Sequence, residues 1–271
     1  MKKIGTLLMS YFSATKIHSV QDTEGVIEVV DERQIRTLHF GSLARQSTMF
    51  KKNVNALALA YTRCMMTSLL FCPSPRRALV LGIGGGSLPK FLLHQFPQSQ
   101  VDAVDKRQKV VEVAQEYFAL PNSPHLHIHV GDGFNYMSSC KDPYDLLLVD
   151  LHDSEGMAPI VFHPAFFSTC YQCLTATGVF VINLWCGRRQ DQLDQIRKRL
   201  DAAFDEQILC LPVANKSNYV VLGFKDRLVP EALPVLRKKA KTLDAVFDIE
   251  LPDLLEQLIQ RNQHILGNKN G

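Results

Sequence analysis

The sequence of 271 residues contains no apolar run near the roughly 18–20 residues that a membrane-spanning helix requires. It also has little excess charge, since 30 basic and 27 acidic residues leave a formal net charge of +3. These two absences argue against a membrane partner and against a dedicated nucleic-acid binder. With 46% hydrophobic and 21% charged residues, the composition is that of an ordinary globular protein and excludes a disordered, collagen-like or disulfide-stapled chain.

Cysteines are few and odd in number: seven are scattered along the chain. This distribution favours a reducing compartment over a secreted disulfide framework. Lys2 and Lys3 precede a short, interrupted apolar segment that only loosely imitates a signal peptide, and no convincing small-residue cleavage site follows. The sequence therefore predicts a cytoplasmic protein.

An alternation of strand and helix patterns begins at residue 78. The continuous apolar runs 78–81 and 146–149 are typical of strands that are covered on both faces. Further strands are predicted at 101–104, 126–130, 179–184, 207–212 and 218–224, with helices ending at 96 and spanning 108–118 and 190–204. Five βα units followed by a β-hairpin predict an α/β protein with a doubly wound sheet of seven strands.

Two regions flank this alternation. Residues 26–30 and 34–40 predict a small N-terminal β-hairpin, and residues 53–71 predict a helix rich in Ala, Leu and Met. The tail from about residue 226 alternates basic and apolar residues in helical fashion, with breaks at Pro230, Pro234 and Pro252.

A glycine-rich turn directly follows the first strand of the alternation and opens a helix; it contains Gly82, Gly84, Gly85 and Gly86. Such a turn lets the backbone approach a ligand and directs helix N–H groups towards it. The dinucleotide fingerprint GxGxxG would require glycine at position 87, where Ser87 stands instead. The turn therefore indicates a ligand site without identifying the ligand.

Acidic residues follow the next two strands. Asp105 ends the second strand about twenty residues after the turn, where a carboxylate can bind ribose hydroxyls. Asp132, in the sequence Gly131-Asp132-Gly133 after the third strand, can accept a hydrogen bond from an adenine amino group. Because these positions share the carboxyl edge of the predicted sheet, they predict an adenosine pocket. The alternative is that both aspartates are turn and helix-cap residues.

The fourth strand also ends in acid, with Asp150 at its tip and Asp153 one short turn later. Two carboxylates in that crevice can hold a cation and accept a proton from it. The alternative is a solvated acidic loop.

Two patterns invite a metal-site interpretation. Cys170 and Cys173 form a CxxC pattern inside an apolar helical stretch, where core packing is the favoured interpretation over metal or redox chemistry. His125, His127 and His129 alternate along the third strand, but that strand lies at the sheet edge, where a polar face needs no metal. The sequence therefore predicts no metal site.

Together these residues resemble the spermidine synthase family of aminopropyltransferases, a branch of the class I methyltransferase fold. The resemblance runs from about residue 26 to residue 224. It rests on the order and spacing of the hairpin before Gln46, of Tyr61 with Met65, and of the glycine turn and strand-end acids described above. It implies a class I methyltransferase-like (Rossmann-like) sheet.

The family transfers an aminopropyl group from decarboxylated S-adenosylmethionine to putrescine and releases methylthioadenosine, with no tightly bound cofactor. The resemblance implies a small-molecule nucleoside donor, an amine acceptor and a homodimer whose contact is the N-terminal hairpin. It also implies a set of site residues. The catalytic and acceptor-binding residues would be Asp150, Asp153 and Tyr61; the donor-binding residues would be Gln46, Gly82, Gly84, Gly86, Ser87, Asp105, Asp132 and Gly133.

Ser87 is the main departure from the family pattern. The family has an aspartate there that pairs with the donor's ammonium, and a buried ammonium without its partner is costly. The family's His-Glu pair is not evident after Tyr61, and its acceptor-side aromatic cannot be placed near residues 212–219. Three functions therefore stay open: aminopropyl transfer, methyl transfer from intact S-adenosylmethionine, and adenosyl-nucleoside binding without catalysis.

These inferences divide the chain into three parts. We expect an N-terminal hairpin region at 1–50, a Rossmann-like nucleoside-binding catalytic domain at 51–225 and a helical C-terminal extension at 226–271.

Overall fold

A computed structural model describes residues 14–153, 156–185, 190–226, 228 and 231–267. The segment containing Lys2 and Lys3, together with Cys186 and Pro230, lies outside the described residues. None of the helices within the described ranges is both long and apolar enough to cross a lipid bilayer.

The N-terminal region folds into an antiparallel sheet of four strands. In spatial order they are β1 (Thr15–Asp22), β2 (Gly25–Asp31), β3 (Ile35–His39) and β4 (Ser47–Phe50). The predicted hairpin is confirmed as β2 and β3, but the sequence analysis missed β1 and β4. Most side chains of β1 are exposed and polar, so β1 lacks an apolar alternation, and β4 has only four residues.

The main sheet has seven strands, as predicted. They are β5 (Arg77–Leu81), β6 (Gln100–Asp105), β7 (Leu126–Val130), β8 (Tyr144–Val149), β9 (Leu174–Leu184), β10 (Ile208–Pro212) and β11 (Tyr219–Phe224). Their spatial order is β10-β11-β9-β8-β5-β6-β7; β5 to β9 are parallel, and β11 pairs antiparallel with both β9 and β10. The order reverses between β5 and β8, and ligands of open α/β sheets bind at such a switch point.

Helices cover both faces of this sheet. They are α1 (Ala60–Met65), α2 (Ser87–Gln95), α3 (Gln108–Tyr117), α4 (Gly133–Ser138), α5 (Phe166–Gln172), α6 (Gln190–Ala203), α7 (Leu233–Phe247), α8 (Leu251–Arg261) and α9 (Gln263–Leu266). Alternate residues of β5 enter opposite cores, since Val80 packs on one face and Leu79 on the other. The C-terminal helices join the Val80 face, and Pro234 and Pro252 lie in their first turns, where proline is tolerated.

The helix predicted over residues 53–71 is wrong in its first half. The structure is helical only in α1 and in a 3-10 segment, Met66–Leu70, that continues it. The carbonyl groups of Leu57 and Ala58 accept hydrogen bonds from the Arg63 guanidinium, at 3.1 and 3.3 Å. These side-chain bonds replace the backbone bonds that a helix would form there.

The two candidate metal patterns have other partners. Cys170 and Cys173 are buried in the core, as predicted, and burial raises the pKa of Cys173 to about 12. The three histidines lie at the sheet edge, His125 directly before β7 and the other two on it, and they contact different groups: His125 contacts Gln100, His127 contacts Asp102 and His129 contacts Tyr136. Within the described residues, no group of three or more His, Cys, Asp or Glu side chains is arranged to hold a metal ion.

Candidate active site

A cavity of about 910 Å³ opens at the carboxyl ends of the parallel strands. We call it the strand-end cavity; its volume is within the range of roughly 300–1,000 Å³ that is usual for small-molecule sites. It gathers nine of the eleven predicted site residues: Gln46, Tyr61, Gly82, Gly84, Asp105, Asp132, Gly133, Asp150 and Asp153. We name two parts of its lining after the roles that the resemblance implies: the glycine turn and the first strand-end acids form the donor end, and Tyr61 and Asp150 form the acceptor end.

The glycine turn joins these two ends. Gly82 has a φ of +91°, and a Cβ placed on it would lie 2.2 Å from the backbone oxygen of Asp150. Any side chain at this position would therefore displace the residue at the tip of β8. The close approach explains why glycine is required where the donor and acceptor ends meet.

Gly86 and Ser87 are not among the residues that line the strand-end cavity. Gly86 is the left-handed N-cap of α2, with a φ of +70°. Ser87 begins α2, and its hydroxyl lies 3.2 Å from the hydroxyl of Ser47 on β4. The structure thus places Ser87 between the glycine turn and the N-terminal sheet, and its role in donor binding stays a prediction.

Asp105 ties the glycine turn to β6. Its carboxylate accepts hydrogen bonds from the backbone N–H groups of Ile83 and Arg107, each at 2.9 Å. Burial raises the pKa of Asp105, although the backbone N–H groups of Arg107, Ile83 and Gly84 oppose this effect. The carboxylate is thus held by the backbone and still lines the cavity.

Asp132 caps α4, because its Oδ1 accepts the backbone N–H of Asn135 at 2.9 Å. The alternative interpretation as turn and cap residues therefore describes the cap formed by Asp132 and the turn bond from Arg107 to Asp105, but not the bond from Ile83 to Asp105. Both aspartates nevertheless line the strand-end cavity. Capping and pocket formation coincide at Asp132, since α4 begins directly after the turn that follows β7.

Arg107 connects the donor end to the N-terminal sheet and was missed by the sequence analysis. Its guanidinium donates to both carboxylate oxygens of Asp22, at 2.8 and 2.9 Å, and lies over the Phe40 ring, 4.7 Å from its centroid. Arg107 and Phe40 both line the cavity. This pair fixes β1 and the segment after β3 against the mouth of the donor end.

Asp150 is the centre of the acceptor end. Its Oδ2 accepts the Tyr61 hydroxyl at 2.8 Å, and its Oδ1 accepts the Asn183 amide at 2.9 Å and lies 3.2 Å from His152 Nδ1. Burial raises the pKa of Asp150, but the hydrogen bond and charge of His152, with the hydrogen bonds of Asn183 and Tyr61, outweigh burial and hold the pKa of Asp150 below its ordinary value. Burial and the Asp150 charge raise the pKa of Tyr61 well above its ordinary value. Asp150 is therefore an ionised acceptor at neutral pH, and Tyr61 is its donor.

Asn183 and Asn218 form a chain of amides behind Asp150 that the sequence analysis also missed. Asn218 donates to the Asn183 carbonyl at 3.0 Å, and Asn183 is almost completely buried. Asn183 is a polar residue inside the apolar strand β9, directly before Leu184 and Trp185. That interruption of an apolar run was the signal that could have identified it.

The loop after Asp150 completes the acceptor end. The Asp153 carboxylate accepts the backbone N–H of Gly156 at 2.9 Å, and the backbones of His152 and Met157 form a bridge. Trp185 Nε1 donates to the Ser217 hydroxyl at 2.9 Å, so the turn between β10 and β11 is held beside the cavity. Lys216 of that turn also lines the cavity.

The strand-end cavity thus offers two kinds of chemistry. Its donor end presents backbone groups and two carboxylates, which suit a nucleoside with ribose hydroxyls and an adenine amino group. Its acceptor end presents a buried carboxylate with an unused lone pair, which suits a cationic amine.

The chain is similar to known proteins over most of its length. A model of the spermine/spermidine synthase domain matches residues 58–222. A polyamine aminopropyltransferase of Chromobacterium violaceum is 32% identical over 243 residues, which is 89% of this chain and 92% of that protein.

Two solved structures resemble the fold. A probable spermidine synthase from Corynebacterium glutamicum superimposes with a TM-score of 0.71 at 16% identity, over 82% of this chain and 86% of the other. Human methyltransferase-like protein 13, solved in complex with SAH, superimposes with a TM-score of 0.60 at 27% identity, over 70% of this chain and 89% of the other. The predicted class I methyltransferase-like fold is therefore confirmed. Because the matching domain covers more than half of the chain and the Chromobacterium relative is 32% identical over most of both proteins, the chain belongs to the spermine/spermidine synthase family.

Proposed function

We propose that the protein transfers an aminopropyl group from decarboxylated S-adenosylmethionine to an amine of a polyamine-type acceptor. The observation that carries this proposal is the buried Asp150 carboxylate, which three side-chain donors hold where the donor and acceptor ends meet. The name of the Chromobacterium relative, polyamine aminopropyltransferase, supports the same reaction.

The reaction is an in-line displacement at the carbon next to the donor's sulfonium. The lone pair of the acceptor nitrogen forms a new C–N bond while the C–S bond breaks, and its electron pair returns to sulfur, which leaves as the thioether of methylthioadenosine. An alkylammonium has a pKa near ~10, so the acceptor must lose a proton. Asp150 takes that proton, and the cavity supplies the orientation of the two substrates.

The other site residues divide between the two substrates. Gln46, the glycine turn, Asp105 and Asp132 hold the nucleoside, and Tyr61 and Asp153 hold the acceptor amine. Their positions along the lining of one cavity support this division. No tightly bound cofactor takes part in this reaction, because the nucleoside is a co-substrate.

Methyl transfer from intact S-adenosylmethionine is the second candidate. Ser87 favours it, because a hydroxyl tolerates the methionine carboxylate that the family's aspartate would repel. The 27% identity to human methyltransferase-like protein 13 supports the same alternative.

The two candidates differ in their products. The purified protein is incubated with putrescine and either donor, and the nucleoside product is identified by mass spectrometry. Methylthioadenosine from the decarboxylated donor is the expected product; S-adenosylhomocysteine from the intact donor would favour methyl transfer. Calorimetric binding of methylthioadenosine without turnover on a panel of amines would favour a binding protein. Ser87→Asp should shift preference towards the decarboxylated donor.

We also propose that the protein is a homodimer in the cytoplasm. We further propose that the chain is divided into three parts, with boundaries at residues 50 and 225. Ile17 and Phe50 are exposed apolar side chains of the N-terminal sheet, each with 38% exposure, which supports a contact there. The free thiols of the described cysteines support a reducing compartment. Sedimentation analysis of the wild type and of Ile17→Lys tests the dimer.

A further inference from the structure

His152 stands beside the proposed catalytic carboxylate and has so far been described only as one of its three side-chain donors. Its side chain is 11% exposed and lines the strand-end cavity. Its Nδ1 lies 3.2 Å from Asp150 Oδ1, and its ring centroid lies 6.4 Å from that of Trp185. It comes two residues after Asp150 on the same loop, and the bridge to Met157 holds its backbone.

The hydrogen bonds of Asp150 determine which nitrogen of His152 carries a proton. An ionised carboxylate has only acceptor sites, so the proton between the two side chains must be on His152 Nδ1. In the neutral ring, Nε2 is then a lone-pair acceptor. Nε2 is buried and has no hydrogen-bond partner among the residues that the structure describes. No described group therefore stabilises the other tautomer, in which Nε2 carries the proton.

The donors leave one part of the carboxylate open. Oδ1 has two neighbouring donors, His152 and Asn183, whereas Oδ2 has one, the Tyr61 hydroxyl. A carboxylate has about four lone-pair sites. The remaining site is therefore on Oδ2, and the rotation of the carboxylate about its Cβ–Cγ bond depends on the donors at Oδ1.

We infer that His152 is a positioning residue for Asp150: its Nδ1–H, with the Asn183 amide, fixes the carboxylate so that Oδ2 meets the acceptor amine. This inference rests on the proposed function. His152 acts through Asp150 and does not itself take the proton, since Nε2 is shielded and its Nδ1 faces the carboxylate.

The inference has a pH consequence. Asp150 is faced by Tyr61 from α1, Asn183 from β9 and His152 from its own loop, and the charged residues Asp153 and Lys216 also line the cavity. Removal of the His152 donor takes away a hydrogen bond that stabilises the ionised carboxylate. The pKa of Asp150 therefore rises, and the acidic limb of the rate profile moves to higher pH.

Two substitutions test the N–H donor of His152 and the volume of its ring separately. His152→Asn keeps an N–H donor near the position of Nδ1, and His152→Phe keeps the ring volume without a donor. We expect His152→Asn to retain kcat within a few-fold, and His152→Phe to lower it by about 10–100-fold, which is typical of a misplaced catalytic group. The KM for the nucleoside donor should stay unchanged in both. The exposed His129, outside the cavity, provides the control His129→Phe, whose kcat and pH profile should equal those of the wild type.

A readout without turnover keeps this inference distinct from the proposed function. Carbon-13 NMR titration of the Asp150 carboxyl, assigned by its loss in Asp150→Asn, should give a higher pKa in His152→Phe than in wild type and His152→Asn. If the wild type is inactive with both donors, the proposed function fails while this titration still decides the role of His152. Equal kcat losses in both variants would overturn the inference and make Nε2 the proton acceptor. An unchanged Asp150 titration in folded His152→Phe would also overturn it.

Discussion

The two ends of the strand-end cavity are built in different ways. Most of the donor end comes from one stretch of the chain, in which the glycine turn, Asp105 and Asp132 follow three successive strands, and the N-terminal region adds Gln46. The acceptor end combines side chains that are far apart in sequence, since Tyr61 and Asp150 are 89 residues apart. A site made by backbone turns can be recognised in the sequence from its glycines and strand-end acids. A site made by side chains from distant parts of the sequence can be recognised only once the fold is known.

The two ends also differ in what satisfies their carboxylates. Backbone N–H groups hold Asp105 and Asp132, so these residues support the fold as well as a ligand. Side chains hold Asp150, so its environment can be changed one group at a time. Substitutions at the acceptor end should therefore change catalysis, and those at the donor end should change binding and stability.

Asp150→Asn should have the largest effect, and it should distinguish the two ends most clearly, because turnover should fall while binding at the donor end is retained. Asparagine keeps the size and most hydrogen bonds but removes charge and basicity. We expect turnover to fall by about 10²–10⁴-fold, as for loss of a general base, while methylthioadenosine affinity barely changes. Steady-state kinetics and calorimetry measure the two quantities, with the exposed Asp253→Asn as the control. Full turnover in Asp150→Asn would remove the proton-transfer role and favour an acceptor that binds already neutral.

Lys90→Met tests how the buried ammonium of Lys90, in the helix that follows the glycine turn, affects the stability of the fold. Lys90 follows Ser87 by one helical turn and is 2% exposed; its Nζ donates to the Phe118 carbonyl at 2.5 Å and lies 3.4 Å from Met49 Sδ. Burial lowers the pKa of Lys90 from 10.5 to about 8. Between these values the unfolded chain binds more protons than the folded one, so this group makes the folded state more stable as pH rises.

Below pH 8 the buried charge opposes folding, by up to about 3 kcal/mol at 1.36 kcal/mol per pKa unit. We therefore expect Lys90→Met to raise the free energy of unfolding at pH 7 and to flatten its rise between pH 8 and pH 10. Urea unfolding across this range measures both, and the exposed Lys241→Met serves as the matched control. Parallel pH curves for wild type and Lys90→Met would show that Lys90 is not the titrating group.

The main sheet could be predicted because its apolar strands are covered on both faces, as the runs 78–81 and 146–149 show. Strand β1 could not, because it contributes few buried side chains and is held by pairing with β2 and by contacts such as Arg107 with Asp22. The non-helical segment before α1 depends on the Arg63 guanidinium, a contact that helix propensity does not include.

The candidate site shows the same division. Asp105, Asp132 and Asp150 could be proposed from their places after strands. His152 and Asn183 could not, because their importance comes from which oxygen of Asp150 they face. Ser87 was assigned by its place in the turn, yet its hydroxyl faces Ser47, because the start of α2 packs against β4.

Asp105→Ala tests whether the donor end binds ribose. The substitution leaves ribose hydroxyls without a charged acceptor, which should weaken methylthioadenosine binding by about 1–3 kcal/mol. Asp132→Ser provides a comparison, because serine preserves the cap of α4 but removes the carboxylate. Calorimetry gives both affinities, and circular dichroism checks that the folds are intact. Unchanged affinity in Asp105→Ala would exclude Asp105 from the pocket and break the proposed contrast between the two ends.

Lys216→Ala should give the smallest effect and tests which cations the acceptor end accepts. Lys216 is exposed on the turn between β10 and β11 and lines the cavity near Trp185. Its ammonium repels the distal ammonium of a diamine, but solvent screens exposed charges, so the penalty should be below about 1 kcal/mol. We expect the KM for putrescine to fall by up to about 5-fold in Lys216→Ala, with kcat unchanged.

The difference in KM between wild type and Lys216→Ala should shrink as salt is raised from about 0.05 to about 0.5 M, because the Debye length falls below the span of a diamine. A monoamine of the same length is the internal control, since it has no distal charge to repel. If Lys216→Ala changes the KM for both amines equally, the lysine acts by occupying space, and the acceptor end does not discriminate by charge at this position.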